Sequence, residues 1–382
     1  MHNIPYGRQN VNQDDINAVI EVLHSPYITQ GPAIGQFENA VRDYAGAEYA
    51  VALSSGTAAL HLALLALDVG AGDVVWTCPI SFVASSNCAL YVGAKIDFVD
   101  CDPLTGNMDI NALRDKLKKS ECEERLPKAI VIVHFSGRTC DMAEVFKLSE
   151  RYGFKVVEDS AHALGASYAS GEKVGCNKYS DITMFSFHPV KSITTGEGGV
   201  LTTNDKEIAE KLSMLRTHGI TRDEDKMQNK PHGPWYYEQT ELGYHYRMTD
   251  IQAALGRSQM RRLDDFIERR NVIAEYYNNA LAGLPITLPP PDKNSAWHLY
   301  VIHVEGNIRR RVFEFMREAG VGVNVHYIPI HIQPYYQKLG FKQGNFPKAE
   351  KFYEGAISLP IFPLLKEEEQ EYVIEKLKAA IA

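Results

Sequence analysis

Between residues 49 and 219 the chain alternates between short β-branched apolar runs and amphipathic stretches. "YAVAL" (49–53) reads as a strand and "TAALHLALLAL" (57–67) as a helix; "DVVWT" (73–77) and "FVASSNCALYV" (82–92) repeat the pair. "KIDFVD" (95–100) is another strand. In the helical "NMDINALRDKLKK" that follows, Asp109 is placed as the N-cap, where a carboxylate accepts from the free N–H groups of a first turn. "KAIVIVHF", "MAEVFKLSERYG" and "FKVVEDS" continue as strand, helix, strand, and then come the strands "DITMFSF" and "GGVLTT" and the helix "KEIAEKLSMLRTHG". Parallel strands need long crossovers, and helices supply them, so this order restricts the chain to an α/β architecture around a mostly parallel sheet.

After residue 219 the texture changes. The stretch 220–250, "ITRDEDKMQNKPHGPWYYEQTELGYHYRMTD", is polar, weakly periodic and rich in aromatics. Loops of that length are disordered or functional, and its aromatic content argues against disorder. A long helix is expected from Asp250 to Leu281, where apolar residues follow helical spacing. "LPITLPPPDKN" ends it as a connector, and the rest reads as a compact α/β module with a final helix from Glu367. At 382 residues a single small core is not expected. We expect a large domain over 1–250 and a smaller one over 251–382.

The formal charge of −8 gives no basic surface for nucleic acid. The six cysteines contain no C-x-x-C pair, so they read as thiols of a reducing compartment. The first residues, "MHNIPYGRQNVNQDD", have no apolar core of a signal peptide, and no run is long enough to span a bilayer. A cytoplasmic protein without membrane partners is the expectation.

Three segments carry chemistry. In "SSGTAAL", Ser54, Ser55, Gly56 and Thr57 lie between a strand and a helix start. Free N–H groups there, with hydroxyls beside them, form an anion site, although an ordinary N-cap has the same appearance. In "VVEDSAHALG", Asp159 ends an apolar strand, where ligand sites of open α/β sheets collect. A helix-capping Asp is the plain alternative. His162 follows three residues on. In "MFSFHPVKSITTGEGGV", Lys191 stands between an apolar strand and a glycine-rich turn. Solvated lysines are the default, but a strand that delivers this one from the interior argues for a role. Pyridoxal phosphate accounts for an anion cradle, a strand-end carboxylate and a lysine together. Its phosphate, its ring nitrogen and its aldehyde need those three partners.

The segments "SSGTAALHLAL", "PISFVASSN", "EDSAHALG", "FSFHPVKSITTGEGG" and "YRMTDIQAALG" together resemble the DegT/StrS group of sugar-nucleotide aminotransferases. The likeness runs in order from "YITQGPAIGQFE" to "VHYIPIHIQPYY". It implies a fold type I aminotransferase, with a seven-stranded, mostly parallel large domain and a smaller C-terminal α/β domain. It implies that Lys191 carries the cofactor and is the catalytic base, that Asp159 pairs with the ring nitrogen and that Phe82 stacks on the ring. Gly56, Thr57 and Ser186 would hold the phosphate, with His162 beside the ring. Many relatives carry Asn where this chain has His245, and that Asn reaches the phosphate of the neighbouring subunit, so a homodimer with shared active sites is implied. Thr29, Tyr244, Arg247, His326, Tyr327 and His331 match the substrate side. His326 and His331 lack a third ligand at metal-binding spacing.

Within the group, "TCPISFVASSN", "HLYVIHV" and "VHYIPIHIQPYYQKLGF" are most similar to the branch that serves pseudaminic acid biosynthesis. The substrates implied are a UDP-linked 4-keto-6-deoxy-N-acetylhexosamine and L-glutamate as amino donor. The alternatives are an aminotransferase for another NDP-4-keto or 3-keto sugar, and a pyridoxal phosphate-binding regulator without turnover. Dehydratases of the group carry His in place of the lysine, so Lys191 argues against that activity.

Overall fold

In the computed structural model, which describes residues 3–382, the expected strands form at Tyr49–Leu53 (β1), Val74–Thr77 (β2), Lys95–Phe98 (β3), Ala129–Val133 (β4), Lys155–Asp159 (β5), Ile182–Ser186 (β6) and Gly199–Thr203 (β7). They make one sheet ordered β1-β7-β6-β5-β4-β2-β3. From β3 to β6 every neighbouring pair is parallel, and β7 runs antiparallel to both β6 and β1. A parallel sheet covered on both faces needs strands that are apolar on both faces, and β4 is buried at every position. Side-chain alternation divides the core in two. Ile130, Ile132 and Val156 join one apolar cluster, while Val131, Val157 and Met184 join the other.

The aromatic stretch after residue 219 holds a short antiparallel ribbon, Ile220–Thr221 (β8) with Glu238–Gln239 (β9). Further on, Tyr300–His303 (β10) pairs with Ala356–Leu359 (β11). Around this pair a third apolar cluster gathers Tyr277, Val312, Val323, Val373 and Leu377. Asp109 caps its helix as expected, accepting from the N–H groups of Asn111 and Ala112.

The single long helix expected from Asp250 is corrected to two, Asp250–Met260 and Leu263–Ala280. Apolar spacing continues across the junction, so periodicity alone joins them. The break comes from a tertiary contact instead. Arg262 leaves helical geometry (φ −114°, ψ 8°), and its guanidinium donates to the buried Asp15 at 2.5 Å and to the Asn10 carbonyl at 3.2 Å. Among the described residues no helix is long and apolar enough to cross a membrane.

Candidate active site

The carboxyl ends of β4, β5 and β6 open on a cavity of about 410 Å³, the position where open α/β sheets bind ligands. Val133, Asp159 and Ser186 reach it from those strand ends, and Gly56 and Thr57 from the start of the helix Gly56–Ala66. Phe82, His162, Lys191, His326 and Tyr327 are also in the walls.

At the helix start Ser55 is the N-cap and accepts from the Ala58 N–H at 3.1 Å. By helix geometry the N–H groups of Gly56 and Thr57 have no acceptor within the helix. A side chain at position 56 would crowd the site, since a Cβ there would stand 3.0 Å from the Ser186 Cβ and 3.2 Å from its Oγ. Glycine therefore brings helix backbone and Ser186 hydroxyl to one place, a donor set for a phosphate.

Asp159 is buried at the end of β5. Its carboxylate accepts from the Ser85 hydroxyl at 2.5 Å and the Ala161 N–H at 3.2 Å. Burial still raises this carboxyl above its ordinary range, with Ser85, Ala161 and Lys191 pulling the other way. Lys191 lies in the loop between β6 and β7, and its N–H donates to the His188 carbonyl at 2.9 Å. Thr194 and Thr195 fasten that loop to the Phe187 carbonyl. Desolvation in the cavity wall lowers the Lys191 ammonium to about 8, against the attraction of Asp159.

His162 is buried, and its Nδ1 accepts from the Ser136 N–H at 3.3 Å. The ring proton therefore sits on Nε2, which donates to the Tyr327 hydroxyl at 3.3 Å. Desolvation, with Lys191 and His326 nearby, holds His162 well below the ordinary imidazole range. His326 donates from Nδ1 to Ser358 at 2.8 Å, with the Asn324 amide 3.3 Å from its Nε2, and burial takes it to about 3.

Other residues named from the sequence lie elsewhere. His331 is fully buried against Phe346 and pairs with Glu350 at 2.9 Å; it does not line the cavity. Thr29 and His245 are exposed, forming backbone bridges to Thr249 and Thr217. Tyr244 stacks on Tyr246 at 5.0 Å. Arg247 lines a separate surface groove with Gly31, Glu38 and Arg216. Within the single chain, no residue of 219–248 lines the main cavity. Sequence reasoning missed Tyr6, Ser81 and Glu197, which do. It also missed Ser85 on Asp159, although "PISFVASSN" carries it. Tyr6 has no local signal. It arrives because Ile4 bonds to Gly320 and Gly322, and because Ile361 donates to the Tyr6 carbonyl.

A buried carboxylate, a lysine of depressed basicity and a helix N-terminus in one cavity at the strand ends define the site of a pyridoxal phosphate-dependent aminotransferase fold. The chain belongs to the DegT/DnrJ/EryC1/StrS aminotransferase family, whose model matches residues 9–378. It is 38% identical to the spore coat polysaccharide biosynthesis protein SpsC of Bacillus subtilis, over 99% of this chain and 97% of that one. It is 36% identical to the UDP-4-amino-4,6-dideoxy-N-acetyl-beta-L-altrosamine transaminase of Campylobacter jejuni, over 98% and 96%. Helicobacter pylori PseC, an aminotransferase of pseudoaminic acid biosynthesis, superposes with a TM-score of 0.90 at 31% identity, over 99% of each chain. Spr1654 of Streptococcus pneumoniae in its PLP-form superposes with a TM-score of 0.89 at 32% identity, over 99% of this chain and 98% of that one. Pyridoxal phosphate is the cofactor, and the residues present fit it. Asp159 has no salt-bridge partner among the described residues, a position that a protonated ring nitrogen would fill.

Proposed function

We propose that this sugar aminotransferase moves an amino group from L-glutamate to a UDP-linked 4-keto-6-deoxy-N-acetylhexosamine, as in pseudaminic acid biosynthesis. The observation that carries the reading is the meeting of Lys191, Asp159 and the Gly56–Thr57 helix start in one cavity. The Campylobacter and Helicobacter relatives support the sugar class. An aminotransferase for another NDP-keto sugar is the second reading, favoured by the comparable identity to a spore coat polysaccharide protein.

Pyridoxal phosphate supplies an electron sink for the carbanion left when a proton leaves the nitrogen-bearing carbon. Asp159 would hold the proton on the ring nitrogen and Phe82 would lie against the ring. Gly56, Thr57 and Ser186 would hold the phosphate. Lys191, with its ammonium lowered to about 8, has enough neutral amine near neutral pH to take and return that proton. His326 and Tyr327, which line the same cavity, would meet the sugar. We assign Thr29, His245 and Arg247 to the neighbouring subunit's cavity in a homodimer. Their place on the surface of the single chain supports this.

Product mass spectrometry after incubation with glutamate and a panel of UDP- and dTDP-keto sugars tests the substrate. Borohydride reduction with peptide mapping tests the site, because Lys191 should carry the label. Lys191→Ala should lose turnover by at least about 10⁴-fold, the scale of a lost general base and nucleophile. A wild-type protein that stays unlabelled and colourless with added cofactor would sink the proposal.

A further inference from the structure

Behind His162, away from the cavity, lies a second buried histidine that the sequence left unremarked. The ring of His298 packs against that of His162 in a tilted arrangement, with centroids 4.4 Å apart and an interplanar angle of 35°. Both residues are about 95% buried, at 5% and 6% relative exposure. The backbone around His298 is stapled to the turn that addresses His162. Ser136, in the left-handed region (φ 60°), donates its N–H to the His162 Nδ1 and accepts from the Leu299 N–H at 3.3 Å. Gly137 (φ 98°) accepts from the Ala296 N–H at 3.0 Å. A Cβ at Gly137 would stand 2.9 Å from the His162 carbonyl, 2.9 Å from the Trp297 nitrogen and 3.1 Å from the His298 nitrogen. From the far side the buried Arg270 donates to the carbonyls of Trp297 and Ile361 at 3.2 and 2.9 Å.

We propose that His298 is a positioning residue: its ring packed against His162 and its backbone tied to the Ser136–Gly137 turn, it keeps the His162 Nδ1 on the Ser136 N–H, and so keeps the neutral ring's Nε2–H edge turned to the cofactor cavity. The role rests on the aminotransferase reading of the cavity. The groups facing His162 agree with a neutral ring. Lys191, His326, His298 and Tyr327 surround it, none of them a negative charge at neutral pH, and Asp159, the carboxyl of the same cavity, is hydrogen-bonded to Ser85 and the Ala161 N–H rather than to the ring. Burial depresses the basicity of His298 itself, and the nearby charges of Lys191 and Arg270 act in the same direction. Two packed imidazoles, with the His162 tautomer fixed by a backbone N–H, leave Nε2–H as the ring's single donor, directed at the Tyr327 hydroxyl on the cavity wall across the working pH range.

The test uses the full chain labelled with ¹⁵N-histidine, first freed of cofactor and then loaded. His298→Leu keeps the buried volume and loses the ring; His298→Phe keeps a ring. In the wild type, long-range proton–nitrogen spectra should show His162 as one Nε2–H tautomer from pH 6 to 8, assigned by its loss in His162→Gln. In His298→Leu a second tautomer or a charged ring should enter that window. Cofactor affinity should weaken by about three- to tenfold there, the contribution of one aromatic pair. His298→Phe should restore both signals. Identical His162 spectra in the Leu and Phe variants, or a wild-type His162 that is Nδ1–H or charged, would overturn the assignment. An unlabelled Lys191 in borohydride trapping would overturn the aminotransferase reading instead, and the His162 spectra of the cofactor-free chain would remain a separate answer.

Discussion

The strand that carries Asp159 is held by its neighbour, and that support can be removed on its own. Glu158 points to the opposite face of β5 and is fully buried. It accepts from His134 Nε2 and Ser180 Oγ at 2.5 Å, from Tyr168 Oη at 2.8 Å and from Thr183 Oγ1 at 3.0 Å. His134 is oriented by the Cys140 N–H, which donates to its Nδ1 at 3.2 Å. His134→Phe keeps a ring of similar volume but deletes a donor to a buried carboxylate and strands the Cys140 N–H. A charge-assisted bond contributes about 1.5–3 kcal/mol and an unsatisfied buried N–H costs about 1–3 kcal/mol, so the loss should be about 2.5–6 kcal/mol. For 382 residues, an unfolding entropy of about 2.1 cal/mol/K per residue gives about 0.8 kcal/mol/K, and the melting temperature should fall by roughly 3–8 °C. The pH dependence has a definite sign. His134 and the hydroxyls hold the Glu158 carboxyl below its ordinary range against its burial. That stabilisation is full above the ordinary carboxylate value of about 4.3 and is lost as pH falls through the folded one. The gap between wild type and variant should be flat from pH 8 to 6 and narrow towards pH 4, without closing, because the stranded N–H persists. Calorimetry at those pH values decides it. A melting shift under about 1 °C, or a gap that widens in acid, refutes the reasoning.

Phe82 is 59% exposed, so Phe82→Ala should change stability by less than about 0.5 kcal/mol, while equilibrium dialysis should show cofactor binding weakened by about tenfold. Acylation of the cofactor-free protein should modify the Lys191 amine with a midpoint near pH 8, where its neutral form appears; a midpoint at the ordinary lysine value of about 10.4 would mean that the side chain is solvated. Gly137→Ala should destabilise by more than about 1 kcal/mol, because the positive φ and the backbone of Trp297 both exclude a Cβ; a chemical denaturation curve indistinguishable from wild type would show that the turn relaxes.

Residues of the cavity that stand at strand ends or helix starts were legible in the chain. Asp159 and Ser186 end strands and Gly56 starts a helix, Lys191 follows in the loop after β6, and a parallel sheet brings such ends to one edge. Residues that reach the site from remote segments left no periodic trace. Tyr6 arrives through bonds to residues 320–322 and 361, and His298 through a turn at 136–137. The two histidines of "VHYIPIH" looked equivalent, yet the chain closes a 3-10 turn at Ile330–Ile332. That turn leaves His326 on the cavity and buries His331 against Phe346 and Glu350. Spacing within one segment cannot report which partner, tens of residues away, a side chain will meet.

Glu158 and Asp159 make the same point within two residues and bear on the chemistry. Strand alternation sends them to opposite faces, and both carboxyls pay the desolvation cost of full burial. Glu158 meets donors from four other residues and is held below the ordinary range, whereas Asp159 has Ser85 and one backbone N–H and is raised above it. The difference is one of missing partners. Glu158 is satisfied by the fold, and its side of the sheet is closed. Asp159 faces the cavity with room for a further donor, and a cationic donor would return it to the ionised form. A protonated pyridine nitrogen is such a donor, and the resulting pair carries one proton: an ionised Asp159 that meets an unprotonated nitrogen draws that proton from solvent on cofactor binding, whereas a neutral Asp159 hands over its own and none is taken up. Calorimetric titration of cofactor in buffers of different ionisation enthalpy reads that proton. In Asp159→Asn the uptake attributable to this pair should disappear, and an unchanged buffer dependence would show that Asp159 does not meet the ring nitrogen.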